Sequence, residues 1–176
     1  INPANGNFID NAWKSIAFDL PDGGLWNTAL LGGVFEDTNG QKTNAALYIL
    51  GGQSDESTYS SVVYRATINN DGSLGYLASG AGSNASLGEP RTGHAAVQYR
   101  GAIYSMGGAV NGLIDPTRSV LGSYIQSNGS LPEIGGQGSA TYFITNQGLP
   151  EPRIGHGAVI VPSPATNPTG AWIYAI

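Results

Sequence analysis

Short apolar runs recur along the chain, separated by stretches rich in glycine, proline and asparagine. Ala46-Leu47-Tyr48-Ile49-Leu50, Ser61-Val62-Val63-Tyr64, Ala102-Ile103-Tyr104-Ser105-Met106, Ser119-Val120-Leu121, Ala140-Thr141-Tyr142-Phe143-Ile144 and Trp172-Ile173-Tyr174-Ala175-Ile176 are the clearest. Their length and their β-branched and aromatic content predict strands. Apolar stripes at a spacing of 3.6 residues are missing, so no helix of useful length is expected. Many short strands joined by glycine turns predict an all-β chain.

Self-comparison yields three patterns that recur in one order. Pro90-Arg91-Thr92-Gly93-His94-Ala95-Ala96-Val97 returns as Pro152-Arg153-Ile154-Gly155-His156-Gly157-Ala158-Val159, 62 positions on. A degraded earlier copy begins at Leu20-Pro21; in its register Gly24 stands at the arginine position and Asn27 at the histidine position. Ala46-Leu47-Tyr48-Ile49-Leu50-Gly51-Gly52 returns as Ala102-Ile103-Tyr104-Ser105-Met106-Gly107-Gly108, and Trp172 to Ile176 begins a third copy. Asp71-Gly72-Ser73-Leu74 returns as Asn128-Gly129-Ser130-Leu131, and earlier as Asn5-Gly6-Asn7-Phe8. Asp-Gly and Asn-Gly predict tight hairpin turns with φ > 0 at both central positions. The unequal shifts place length variation in loops. The segments 36–44 and 162–169 read as extended hairpin loops, the second broken by its prolines.

The order Pro-Arg-x-Gly-His-Ala-x-Val, Ile-Tyr-x-x-Gly-Gly, Tyr64 and Asp-Gly-Ser-Leu resembles the kelch repeat. That resemblance implies a β-propeller built of four-stranded antiparallel blades, with a period near 50 residues. It covers nearly the whole chain. The family's tryptophan near the fourth strand has a counterpart in Trp13, but Tyr76 or Leu77, and then Ile134, replace it later; Leu121 replaces the tyrosine after the second double glycine. Residues 1–176 would comprise the end of one blade, two near-complete blades and half of a further one. A propeller closes with about 4–8 blades. The expectation is therefore a segment of a longer chain, with self-assembly into a ring as the alternative.

Composition narrows the partners. The 27 glycines and 11% charged residues would suit a disordered chain, but 40% hydrophobic content and regular strand patterning predict a packed one. Seven scattered basic residues against 12 acidic ones, net −5, offer no nucleic-acid footprint. Cysteine is absent, which excludes disulfides and thiolate metal sites. No apolar run approaches the roughly 20 residues of a membrane span, and no signal peptide is visible after Ile1. A neutral surface rich in Ser, Thr, Asn and Gly, with few lysines, suggests an extracellular or bacterial cell-surface setting; a cytoplasmic one is the alternative.

His94 and His156, the only histidines, occupy one repeat position, as do Arg91 and Arg153. Equivalence favours structural roles: a ring bonding backbone within its blade, and a guanidinium tying strands near a carbonyl or carboxylate. Tyr48 and Tyr104 are likewise repeat positions. Gly51-Gly52 and Gly107-Gly108 follow strands with no helix after them, so they read as turn glycines with φ > 0 and not as phosphate cradles. The acidic pairs Glu36-Asp37 and Asp55-Glu56 are too sparse for calcium. Ligand contacts are expected on the loops 53–60, 109–118, 78–87 and 135–148, with Asp55, Glu56, Tyr59, Asp115 and Arg118 as candidates. Trp26, Tyr59, Tyr142 and Phe143 could build a sugar-stacking platform. Asn84-Ala85-Ser86 and Asn128-Gly129-Ser130 fit the glycosylation sequon.

No nucleophile elbow, carboxylate pair or metal-ligand cluster is seen, and no cofactor is implied. The leading expectation is a non-catalytic binding or scaffold module whose partner is a protein or a glycan. Two alternatives stand beside it. One is a segment of a kelch-type sugar oxidase or epimerase with catalytic residues elsewhere. The other is a structural subunit whose sheet edges pair with neighbouring chains.

Overall fold

A computed structural model of the chain describes residues 25–37, 39–75, 78–79, 86–110, 116–131, 142–144, 148–163 and 170–176. Trp13, Asp115, the first Asn-Gly turn, the sequon asparagine at 84 and most of the segments 80–87, 135–148 and 164–169 lie outside these residues. The described residues form ten strands: β1 (Ala29–Gly33), β2 (Ala46–Gln53), β3 (Tyr59–Thr67), β4 (Ala78–Ser79), β5 (Ala95–Tyr99), β6 (Ala102–Met106), β7 (Val120–Tyr124), β8 (Tyr142–Ile144), β9 (Ala158–Pro162) and β10 (Ala171–Ala175). All pair antiparallel, and the described residues contain no helix. The chain is all-β, as its short apolar runs predict.

Each sheet is a meander. The first runs β1-β2-β3-β4, the second β5-β6-β7-β8, and the third is the hairpin β9-β10. The first two sheets rest on three full strands. Their fourth segments are brief: β4 pairs β3 only at Arg65↔Ala78 and Tyr64↔Ser79, and β8 pairs β7 from Leu121↔Ile144 to Ser123↔Tyr142.

Alternation along the strands sets what packs where. Ala46, Tyr48 and Leu50 of β2 turn one face toward the second sheet, where they meet Ile103, Ile125 and Leu131. Ile49 points the other way and packs with Tyr64 and Ala66. Ala95, Val97, Met106 and Val120 form the next interface, against Ala158, Ile160 and Ala175 of the third sheet. Burying a side chain such as Leu50 contributes about 2 kcal/mol. β1 lies against β5, and β5 against β9, so the opening strands of the three sheets are neighbours.

The turns differ from expectation in one respect. Gly72 and Gly129 adopt φ of +79° and +77°, but Asp71 and Asn128 do not share that conformation; Asn27 and Arg100 are the only non-glycine residues with positive φ among those described. Gly72 N–H donates to Asn69 O, and Ser73 O accepts from Asn69 N–H. This is a type I turn followed by a left-handed glycine, one residue longer than the tight turn expected. Asp71 Oδ1 accepts from Ser73 N–H at 2.9 Å, so the aspartate organises the turn through its side chain. The two-residue turn occurs instead at Arg100-Gly101, with φ of +45° and +73°.

Candidate functional site

The double glycines do more than end a strand. Gly51 and Gly52 have φ of +56° and +101°, Gly107 and Gly108 +62° and +84°. Gly52 N–H donates to Arg91 O of the second sheet at 2.8 Å, and Gly108 N–H donates to Arg153 O of the third at 2.7 Å. A Cβ on Gly51 would stand 2.5 Å from Arg91 O and 3.0 Å from His94 Cε1. One on Gly107 would stand 2.8 Å from Arg153 O and 2.6 Å from His156 Cε1. The same joint is thus built twice: a double glycine seats the Arg-x-Gly-His segment of the following sheet. Leu87 and Leu149 fill the same place beside the two joints.

A backbone series runs beside the joints. Gly155 N–H donates to Gly93 O at 2.8 Å, and Gly93 N–H to Asn27 O at 2.9 Å. Asn27, Gly93 and Gly155 all have positive φ, of +52°, +60° and +68°. The pairing Ala29↔Leu50 matches Ala95↔Met106. The first sheet therefore carries Leu25, Trp26, Asn27 and Thr28 where the second has Arg91, Thr92, Gly93 and His94. This corrects the expected alignment: Asn27 occupies the glycine position, Thr28 the histidine position, and Leu25, not Gly24, the arginine position.

Arg91 is fully buried. Its Nη1 donates to Gly107 O at 2.9 Å and Ser119 O at 3.1 Å; its Nη2 donates to Ser119 Oγ at 2.5 Å and pairs with the Glu89 carboxylate. The planar fork ties the end of β6 to the start of β7. Glu89 escaped the sequence reading. Extending the repeat upstream, Leu87-Gly88-Glu89-Pro90-Arg91 against Leu149-Pro150-Glu151-Pro152-Arg153, carries the signal for it. Arg153 itself is exposed.

His94 is buried, and desolvation, followed by the Arg91 and His156 charges, pulls its pKa down to about 3. Burial and then Arg153 lower that of His156, which is half-buried. Neither ring has a hydrogen-bond partner at either nitrogen among the described residues. The backbone bond expected of these rings is absent, and they pack against the joint glycines as neutral plates. Tyr48, wholly buried, donates its hydroxyl to Gly129 O at 2.5 Å and so fastens the first sheet to the turn after β7. Phe35 meets its ring edge-on, centroids 5.0 Å apart. Burial raises the Tyr48 pKa, with Arg65 opposing. Tyr104 is only half-buried; burial, then Tyr124 and Tyr99, raises its pKa.

The expected ligand loops are organised by their own polar groups. Asp55 Oδ1 accepts from Ser57 N–H at 2.8 Å, Ser57 Oγ at 3.0 Å and Thr58 N–H at 2.7 Å; these bonds hold its carboxyl at a pKa of about 2. Asp55 and Glu56 are exposed, and Tyr59 donates to Glu56 O at 3.1 Å. Arg118 is exposed too, but its Nε donates to Leu149 O at 2.7 Å, clasping the segment that leads to the third sheet. Asp37 is buried and accepts from Asn39 and Gln41 N–H at 2.8 Å, a turn-forming role. The described residues hold no group of three His, Cys, Asp or Glu side chains placed to share a metal ion. None of their helices is long and apolar enough to cross a membrane, there being no helix among them.

Equivalent rows at the sheet ends differ in chemistry. In the first sheet Trp26, Gln53 and Tyr59 pair across three strands; in the second the same places hold Thr92, Ala109 and Pro116. Tyr142 and Phe143, the other aromatics of the expected platform, fall on β8, where side chains are not described. No family model matches the sequence, and no curated protein matches it.

Proposed function

We propose that this chain is a kelch-type β-propeller segment acting as a non-catalytic binding or scaffold module, recognising a protein or glycan through its loops, in an extracellular or cell-surface setting. One contrast carries the reading. The two joints repeat the same backbone hydrogen bond and the same close glycine contacts, while the row at the sheet end changes from Trp-Gln-Tyr to Thr-Ala-Pro. A constant scaffold with variable rims is what grafted recognition requires. The oxidase or epimerase alternative gains nothing from His94, whose buried neutral ring has no access to a substrate. The test replaces residues 54–58 with a glycine-serine turn and screens both forms against glycan and secreted-protein arrays. Loss of a ligand at an unchanged unfolding midpoint supports the module; undiminished binding, or turnover of sugars by the intact protein, contradicts it.

A structural-subunit reading has one observation of its own. Val159, Val161, Trp172, Tyr174 and Ile176 are exposed, Tyr174 at 50%, although its counterpart Tyr48 is fully buried. An apolar sheet face of this kind supports packing against a further sheet. Light scattering tests it: assembly that Tyr174→Ser abolishes is expected, and a strict monomer contradicts it.

A further inference from the structure

We infer that the end row of the first sheet, Trp26-Asn27-Gln53-Asp55-Tyr59, is a subsite for a neutral carbohydrate; this rests on the binding-module reading and names its ligand class. Trp26 and Gln53 exchange backbone hydrogen bonds of 3.0 and 3.1 Å, and Gln53 pairs in register with Tyr59. Adjacent strands lie about 4.8 Å apart, so the two aromatic residues stand about 10 Å from each other on one sheet face. That distance suits the first and third rings of an oligosaccharide, with the middle ring over the polar groups between them. Trp26 is 53% exposed, whereas Thr92 at the equivalent place is fully buried.

The polar groups between the aromatics are fixed beforehand. Gln53 is buried; its Oε1 accepts from Asn27 Nδ2 at 3.3 Å and Thr92 Oγ1 at 3.0 Å, and its Nε2 donates to Asp55 O at 3.2 Å. This pins the exposed Asn27 carboxamide by its nitrogen. Asp55, exposed beside the row, has its carboxylate oriented by Ser57 and Thr58. Asn27 stands at φ +52° where both later repeats have glycine. Asparagine is among the few side chains that tolerate this region, and here the conformation brings its carboxamide to Gln53.

An indole face stacks on the C–H face of a pyranose ring, and planar carboxamide and carboxylate oxygens accept from sugar hydroxyls. Asp55 and Glu56, with a net charge of −5, disfavour sulfated or carboxylated glycans. The row therefore selects uncharged sugars.

The experiment titrates the protein with neutral oligosaccharides of glucose, mannose and N-acetylglucosamine, read by calorimetry. Trp26→Ala is expected to weaken binding about tenfold, the scale of one lost stacking contact. Asn27→Gly is expected to weaken it without lowering the unfolding midpoint, because Gly93 and Gly155 adopt the same backbone conformation at the equivalent positions. Tyr124→Ala, also an exposed aromatic but on the second sheet, is expected to bind as the unaltered protein does. Sugar binding indifferent to Trp26→Ala overturns the site yet leaves the binding-module reading intact. Absence of binding by every neutral sugar, or preference for acidic ones, overturns the ligand class. The parent reading falls separately, on the loop-replacement experiment.

Discussion

Gly51→Ala should damage the joint between the first two sheets far more than an ordinary glycine substitution does. The residue has φ +56°, where an L side chain costs about 1–2 kcal/mol. The new Cβ would also stand 2.5 Å from Arg91 O, a backbone atom held by Gly52 N–H and unable to swing aside. Relieving the clash shifts the sheets apart and loosens the packing of Leu87 and His94, adding about 1–3 kcal/mol. The expected total is about 2–5 kcal/mol, most of a small domain's stability. Gly72→Ala is the internal control. Its φ is +79°, but nothing lies within 4 Å of the Cβ, so only the conformational part is lost. Urea unfolding of both variants separates the two contributions. Equal losses would refute the claim that the double glycine is there to seat the next repeat.

Acid should destabilise the protein through His94, whose folded pKa of about 3 lies below its ordinary 6.5. The unfolded chain binds the proton first, so stability is full above pH 6.5 and declines toward pH 3, by about 3 kcal/mol at pH 4.5. Urea midpoints across that range should show the fall, and His94→Leu should flatten it. Arg91→Lys should lower stability by about 2–3 kcal/mol in thermal unfolding, because an ammonium cannot reproduce the fork that reaches Gly107, Ser119 and Glu89 together. Tyr48→Phe should cost about 1–2 kcal/mol by the same assay, for one buried hydrogen bond to Gly129 O with the Phe35 packing kept.

Strands and glycine punctuation were legible in the sequence because both are local. β2 and β6 fall on the apolar runs, and their double glycines adopt the positive φ that only glycine tolerates well. The partners of those glycines were not legible, since Arg91 lies 40 positions from Gly51 and no local pattern links them. Of the two arginines expected to tie strands, Arg91 does, while Arg153 is exposed; the histidines were expected to bond backbone, and their rings instead fill space against glycines. The first copy of the motif was misaligned by one residue because Leu25 and Thr28 erase its two marked positions, and only pairing register restores it. The Asp-Gly turns were legible as turns but not by type, because Asp-Gly serves both a two-residue hairpin and a longer one with a left-handed glycine. Trp26 joins Gln53 and Tyr59 in one row only through register, since it lies 27 positions before Gln53.

A crystal structure of the protein as its source produces it decides whether the three sheets belong to a closed ring. Sheets set around a closed axis, with β1, β5 and β9 innermost and the Gly52–Arg91 and Gly108–Arg153 bonds intact at the two joints, are expected. Sheets in an open linear stack, or joints without those bonds, would contradict that expectation.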